Sequence, residues 1–230
     1  MVVEGYRARF QPYIARFARP FLGWAPDSLS YLAFGLCVAA GTLAALVRWT
    51  SPYLFLPVGI LVFFGGAFDV IDGEVARATG RASVRGDLLD HVLDRYADVL
   101  ILIGLAVSGF AIPWLALLAL VSLLLTSYMG TQAQAVGLGR SYSGLLSRAD
   151  RLVILSLAAV FEFDWSLPWP WAPTMPWERF ALAGVGFTVI DVALVYFVVA
   201  GQLTALFRAG SAYRALSGRG PARPPDASGP

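Results

Sequence analysis

The 230-residue chain contains no lysine, a single cysteine and a single histidine, and only 14% of its residues are charged. Each shortage excludes something. Soluble domains carry roughly 25% charged residues, and a surface this poor in charge would not stay dispersed in water. One cysteine, Cys37, rules out an intrachain disulfide and a thiolate metal cluster; set in an apolar run, it reads as a helix-packing thiol. A net charge of +2 offers no broad cationic face for nucleic acid. With 58% hydrophobic residues and no low-complexity tract, a disordered chain and a solvated coiled coil are excluded as well. The start of the chain shows no short apolar core with a cleavage site, so no signal peptide is expected. What remains is an integral membrane protein.

A spanning helix needs about 20 apolar residues, and six segments qualify: 28–47, 52–76, 87–109, 113–136, 148–163 and 180–207. The third opens on acidic residues and the fifth is short, but the arginines require both. With the N-terminus in the cytoplasm, Arg7, Arg9, Arg16 and Arg19 precede the first span. Arg77, Arg81 and Arg85 follow the second, Arg140, Arg148 and Arg151 follow the fourth, and Arg208, Arg214, Arg219 and Arg223 follow the sixth. All of these fall on the inner side, leaving Arg48 and Arg179 outside and Arg95 within a helix, as positive charge is retained in the cytoplasm. The expected fold is an all-α, six-span transmembrane helical bundle in a cell membrane. Residues 1–24 form an N-terminal juxtamembrane helix: Tyr6, Phe10, Tyr13, Ile14 and Phe17 share one face and the arginines project elsewhere, which suits the headgroup plane. Residues 25–208 are the membrane-embedded catalytic domain, and 209–230, rich in Gly, Pro, Ser and Arg, read as a disordered cytoplasmic tail. Trp165, Trp169, Trp171 and Trp177 lie among prolines in an outer loop and read as an interfacial anchor.

Acidic residues within spanning helices are costly and usually functional. Here they gather at one cytoplasmic end. Asp69, Asp72, Gly73 and Ala76 follow i, i+3, i+4, i+7 spacing at the end of the second span, and Gly86, Asp90, Asp94 and Asp98 recur every four residues at the start of the third. A short connection makes these spans antiparallel neighbours whose acidic ends meet. Four converging carboxylates repel unless cations neutralise them; no lysine exists to do so, and the nearby arginines are too few deep in the site. A pair of divalent ions is the economical answer, and all-oxygen ligands suit Mg²⁺ or Mn²⁺. Two such ions form the usual clamp for phosphoryl transfer. Gly73, Ala76 and Gly86 leave room for a ligand to approach, and Arg77 offers a planar fork for phosphate oxygens. The competing reading is a transporter or proton channel, which would carry inverted repeats and midplane acids; no internal repeat is visible. Structural pairing of the carboxylates with arginine is the third possibility.

Written out, the pattern is Asp69-x2-Asp72-Gly73-x2-Ala76-Arg77-x8-Gly86-x3-Asp90-x3-Asp94. It resembles the signature of the CDP-alcohol phosphotransferase family at every fixed position. The resemblance implies a membrane homodimer that moves a phosphatidyl (or archaetidyl) group from a CDP-lipid to an alcohol, releasing CMP. It further implies that Asp69, Asp72, Asp90 and Asp94 hold two divalent ions and that Asp94 takes the acceptor's proton. Gly73, Ala76, Arg77 and Gly86 would line the CDP site, with Asp87 and Asp98 as secondary candidates. The run Asp94-Arg95-Tyr96-Ala97-Asp98 is similar to the inositol-phosphate-using branch, with glycerol phosphate the alternative acceptor. In that branch Arg148 and Arg151 would bind the acceptor phosphate, with Gln132 nearby. Where the family usually has Pro-Asn-x-x-Thr, this chain has Pro26-Asp27-Ser28-Leu29-Ser30, with Asp27 able to cap the first span. His91, about 100° off the Asp90 stripe, reads as a packing or supporting side chain. Asp191 in the sixth span reads as a buried hydrogen-bonding group or dimer contact.

Overall fold

Proline is costly inside a helix but suits its first turn, and Pro26 and Pro113 each open a long apolar helix. The computed structural model describes residues 7–139, 144–145, 148–167, 180–182 and 185–217. Its helices are α1 (Arg7–Ala18), α2 (Pro26–Leu46), α3 (Phe55–Ala78), α4 (Val84–Val107), α5 (Pro113–Ala135), α6 (Arg148–Trp165) and α7 (Val189–Ser217). The Trp-rich segment 168–179, Tyr6, Arg140 and the tail beyond 217 lie outside the described residues, as do the side chains of Arg7, Arg9 and Phe10.

Four helical stretches are long and apolar enough to cross a membrane: Pro26–Trp49, Pro52–Ala78, Pro113–Ala135 and Val189–Ser217. The outward faces of these helices are apolar, with Ile60, Phe63, Phe64, Leu117, Leu118, Val195, Val199 and Leu203 all exposed, as a lipid-facing surface requires. The protein is thus a predominantly helical, multi-pass membrane protein. α4 and α6 match the other two expected spans in position but carry the charges of the site.

Lipid is as apolar as leucine, so close backbone approach at small residues, rather than the hydrophobic effect, drives helix association in a bilayer. Gly41 on α2 and Gly104 on α4 face each other so closely that a Cβ on Gly41 would lie 2.6 Å from the Leu100 carbonyl oxygen. Gly65 on α3 abuts Cys37 on α2, where a Cβ would come within 2.7 Å of the sulfur; the buried thiol packs as expected. Gly59 on α3 meets α6, whose Ser156 hydroxyl donates to the Gly59 carbonyl at 2.8 Å. Gly201 on α7 meets Ser122 on α5.

These crossings set an order that differs from the expected one. α2 packs along both α3 and α4 and is interposed between them, while α3 packs on α6, α5 on α7, and α4 on α5. α3 and α4 are therefore not the direct packing neighbours that their short connection suggested. They converge at their connected ends across the N-terminal end of α2. There Gly80, at φ 68°, takes the left-handed conformation that ends α3, and the Arg81 and Ala82 amides return to the Ala76 carbonyl. Ser83 then caps α4 by accepting from the Gly86 amide at 3.0 Å.

Two further boundaries moved. Phe180–Leu182 and Val185–Phe187, expected in the first turns of the last span, are instead antiparallel strands β1 and β2. The helix starts later because Thr188 and Asp191 form a reciprocal cap: the Asp191 amide donates to Thr188 Oγ1 at 3.1 Å and the Thr188 amide to Asp191 Oδ2 at 3.0 Å. At its other end α7 continues to Ser217, so the first residues assigned to the tail are helical. Asp27 does not cap α2: Ala25 holds that position without a side-chain bond, and Asp27 lies in the first turn.

Candidate active site

Each acidic stripe delivers its residues by helical geometry. Asp69 and Asp72 lie three residues apart near the end of α3, and Asp90 and Asp94 four apart near the start of α4. One carboxylate oxygen from each of Asp69, Asp72 and Asp90 lies within 4.8 Å of the other two. That spacing is comparable with the roughly 4.2 Å across an octahedral Mg²⁺ shell, and the donors are all oxygen, so these residues fit a hard divalent cation. Ser30, one turn into α2, donates its hydroxyl to Asp72 Oδ2 at 2.6 Å and fixes that carboxylate's orientation.

Asp94 stands outside this trio. Its Oδ1 meets Arg148 Nη2 at 2.6 Å and its Oδ2 lies 3.7 Å from Arg95 Nη2. Arg148, the first residue of α6, also pairs with Asp69 through Nη1. A guanidinium thus lies between carboxylates of α3 and α4, where the nearby arginines were expected to be too few to neutralise the cluster. The physical reason is tertiary: α6 packs on α3, and a long side chain from its first turn reaches inward. Asp98, the last member of the α4 stripe, points elsewhere. Each four-residue step turns about 40° beyond a full revolution, so by Asp98 the stripe has rotated off the trio. Its carboxylate accepts from the buried Arg151 Nη1 at 2.8 Å and from the partly exposed Arg95 Nη1 at 3.1 Å. Arg151 is thereby committed to an ion pair within the bundle. Gln132 is exposed on the last turn of α5.

Beside the trio opens a cavity of about 210 Å³. Gly73, Ala76, Arg77 and Gly86, the four residues expected to line a nucleotide site, all line it, together with Asp72, Asp90 and Asp87. So do Ser30, Arg81 and Ser83, which sequence reasoning missed, and Asp27. The Ser30 signal was available, because it occupies the position of the usual Thr in the opening of the first span. Gly73 and Gly86 matter through the room they leave: a Cβ on Gly73 would lie 3.3 Å from Arg77 Nη1, and one on Gly86 3.3 Å from Ser83 Oγ. Arg77 is steadied by Glu74, whose Oε2 accepts from Arg77 Nη2 at 3.0 Å and from Gln11 Nε2 of α1 at 2.8 Å. Just beyond α1, Phe21 stacks edge-on with Phe68 of α3, next to Asp69. His91 Nδ1 lies 3.6 Å from Asp90 and 3.9 Å from Asp87, beside the trio and outside it.

Residues 24–195 match the model of the CDP-alcohol phosphatidyltransferase family. The chain belongs to this family. It is a metal-dependent transferase of phospholipid biosynthesis. Among its relatives, the archaetidylinositol phosphate synthase of Methanothermobacter thermautotrophicus is 31% identical over 194 residues, 84% of this chain and 94% of the relative. The phosphatidylinositol phosphate synthase of Mycobacteroides abscessus is 34% identical over 154 residues, 64% of this chain and 67% of the relative. In three dimensions the chain is similar to the crystal structure of Mycobacterium tuberculosis phosphatidylinositol phosphate synthase with CDP-DAG bound. The TM-score is 0.65 at 25% identity, covering 87% of this chain and 93% of that one. A crystal structure of the same enzyme in complex with manganese and citrate gives a TM-score of 0.67, covering 87% and 88%.

Proposed function

We propose that the protein transfers the lipid phosphatidyl or archaetidyl group of a CDP-lipid to inositol phosphate, releasing CMP, and that it does so as a six-span homodimer with its site facing the cytoplasm. The observation that carries this reading is the cavity in which Gly73, Ala76, Arg77 and Gly86 adjoin Asp72 and Asp90. A nucleotide diphosphate placed there meets small residues along its length, a guanidinium fork at its phosphates, and carboxylates at its metal-binding end. Relatives 31% and 34% identical to this chain are named for inositol phosphate products, which favours that acceptor over glycerol phosphate.

Asp69, Asp72 and Asp90, joined by Asp94, would hold two Mg²⁺ or Mn²⁺ ions. Bound there, such ions would supply positive charge to the diphosphate and to the departing CMP oxygen. The protein's own groups do the rest. Ser30 keeps Asp72 oriented through its 2.6 Å hydrogen bond, and Arg77, braced by Glu74, grips phosphate oxygens as a fork rather than a point charge. Asp94 accepts the proton of the acceptor hydroxyl as its oxygen attacks the lipid-side phosphorus and the bond to CMP breaks. Arg148 holds the acceptor's phosphate, Arg151 adds its charge one turn further along α6, and Gln132 borders the entrance. α1 lies in the headgroup plane, its exposed Tyr13 and Phe17 toward the acyl chains. The lipid tails thereby stay in the bilayer while charged headgroups react at its cytoplasmic face.

The test is CMP release by purified protein given CDP-diacylglycerol or CDP-archaeol, Mg²⁺ or Mn²⁺, and a panel of alcohol phosphates. Turnover with inositol phosphate above all others is expected. Preference for glycerol phosphate would replace the acceptor, and absence of CMP with every acceptor would overturn the reading.

A further inference from the structure

Arg148 is held in a way that its part in acceptor binding does not explain. Its guanidinium pairs with Asp69 of α3 and, at 2.6 Å, with Asp94 of α4. Both are residues that the metal-dependent reading above assigns to the ions. Its Nε is buried and has no hydrogen-bond acceptor among the described residues. The guanidinium is thus drawn in by charge on its two outer nitrogens while its inner N–H goes unsatisfied, an arrangement costly in a desolvated setting. A divalent cation held by Asp69 and Asp94 would bring its charge close to the guanidinium on the same two carboxylates, so metal and Arg148 compete for them.

We infer that Arg148 is a two-position residue, an internal counter-ion that divalent metal displaces. Without metal, the guanidinium neutralises Asp69 and Asp94 and prevents the mutual repulsion that would splay α3 from α4. When divalent ions take those carboxylates, Arg148 is released toward the acceptor phosphate, so metal loading creates the cationic pocket. The order of events follows: metal with the CDP-lipid first, acceptor second. A protein without metal would not present a ready acceptor site, and futile occupation by a phosphate anion is suppressed. By linkage, whatever Arg148 contributes to holding the metal-free state is subtracted from the affinity for metal. The inference rests on the proposed metal centre.

The experiment is a Mn²⁺ titration of chelator-stripped, full-length protein in lipid nanodiscs, followed by the electron paramagnetic resonance signal of free Mn²⁺, for the unmodified protein and Arg148→Gln. No substrate is present, so activity does not enter. Removing the internal competitor should tighten Mn²⁺ binding by about tenfold or more. Equal or weaker binding by the variant overturns the inference and leaves the metal centre standing; no binding by either protein overturns both. A second readout needs no variant. Phenylglyoxal labelling of the unmodified protein, mapped by mass spectrometry, should increase severalfold at Arg148 when Mn²⁺ is added. Labelling that stays level or falls contradicts the release.

Discussion

The bundle buries carboxylates at both of its ends and treats them in opposite ways. At the end where α4 leads into α5, Asp191 has no solvent exposure and its oxygens are consumed by backbone and hydroxyl donors: Ile112 N at 2.7 Å, Thr188 N at 3.0 Å and Thr188 Oγ1 at 3.0 Å. Glu162 of α6 likewise accepts from the Val189 amide at 2.9 Å, at the start of α7. At the end where α3 turns into α4, Asp69, Asp72 and Asp90 face one another, Asp72 and Asp90 line a cavity, and Asp69 and Asp94 share a guanidinium. Helix N-termini present unpaired amides and a positive dipole end, so the first set completes the fold. The second set has more negative charge than its surroundings answer with hydrogen bonds, which is a property of a site built to take cations. An acid in a membrane helix is therefore not by itself a sign of chemistry; what its oxygens accept decides.

The comparison can be broken by removing one carboxylate from each end. Asp72→Asn should cut CMP release by about a thousandfold or more, since it removes a ligand at the point of charge development, while the melting temperature in detergent stays close to that of the unmodified protein. Asp191→Ala should do the reverse. Losing three accepted bonds in a buried place costs several kcal/mol, at about 1–3 kcal/mol for each donor left unsatisfied, and the folded fraction should keep its specific activity to within about twofold. If Asp191→Ala abolished turnover in fully folded protein, the division between the two ends would fail.

Arg151→Ala sharpens the comparison within one helix. It leaves Asp98, only 6% exposed, without one of its two arginines, and breaking a buried pair costs about 3–5 kcal/mol. Loss of stability should accompany any loss of activity there. Arg148→Ala should instead raise the KM for inositol phosphate with a smaller effect on melting in saturating Mn²⁺, read by steady-state kinetics beside a thermal scan. The smallest effect is expected at Glu74→Gln, which loosens Arg77 and the α1 contact made through Gln11. The KM for CDP-lipid should rise about two- to fivefold, the range of a partly exposed ion pair, with kcat nearly unchanged.

Much of the site was legible in the sequence because helical spacing is local. Asp69, Asp72, Gly73, Ala76 and Arg77 share one helix and a fixed period, so their common face follows without knowledge of the fold. The same holds for Gly86, Asp90 and Asp94. Arg148 was placed at the same end of the bundle as the carboxylates by the arginine distribution, yet its reach into them depends on α6 packing against α3 through Gly59 and Ser156, which no local pattern encodes. The insertion of α2 between α3 and α4 was hidden for the same reason: Gly41 and Gly104 are unremarkable singly and informative only as a pair. The late start of α7 was, by contrast, readable. Thr188-Val189-Ile190-Asp191 has the spacing of a reciprocal cap, and an apolar run on either side of it obscured the signal.

The central claim is that Asp69, Asp72 and Asp90 close on a divalent cation. Anomalous diffraction from crystals grown with Mn²⁺ tests it most directly. The account predicts a manganese peak within bonding distance of oxygens from all three residues, with Arg148 withdrawn from Asp69. A protein that binds Mn²⁺ only elsewhere, with Arg148 still bridging Asp69 and Asp94 while CDP-lipid occupies the cavity, would contradict it.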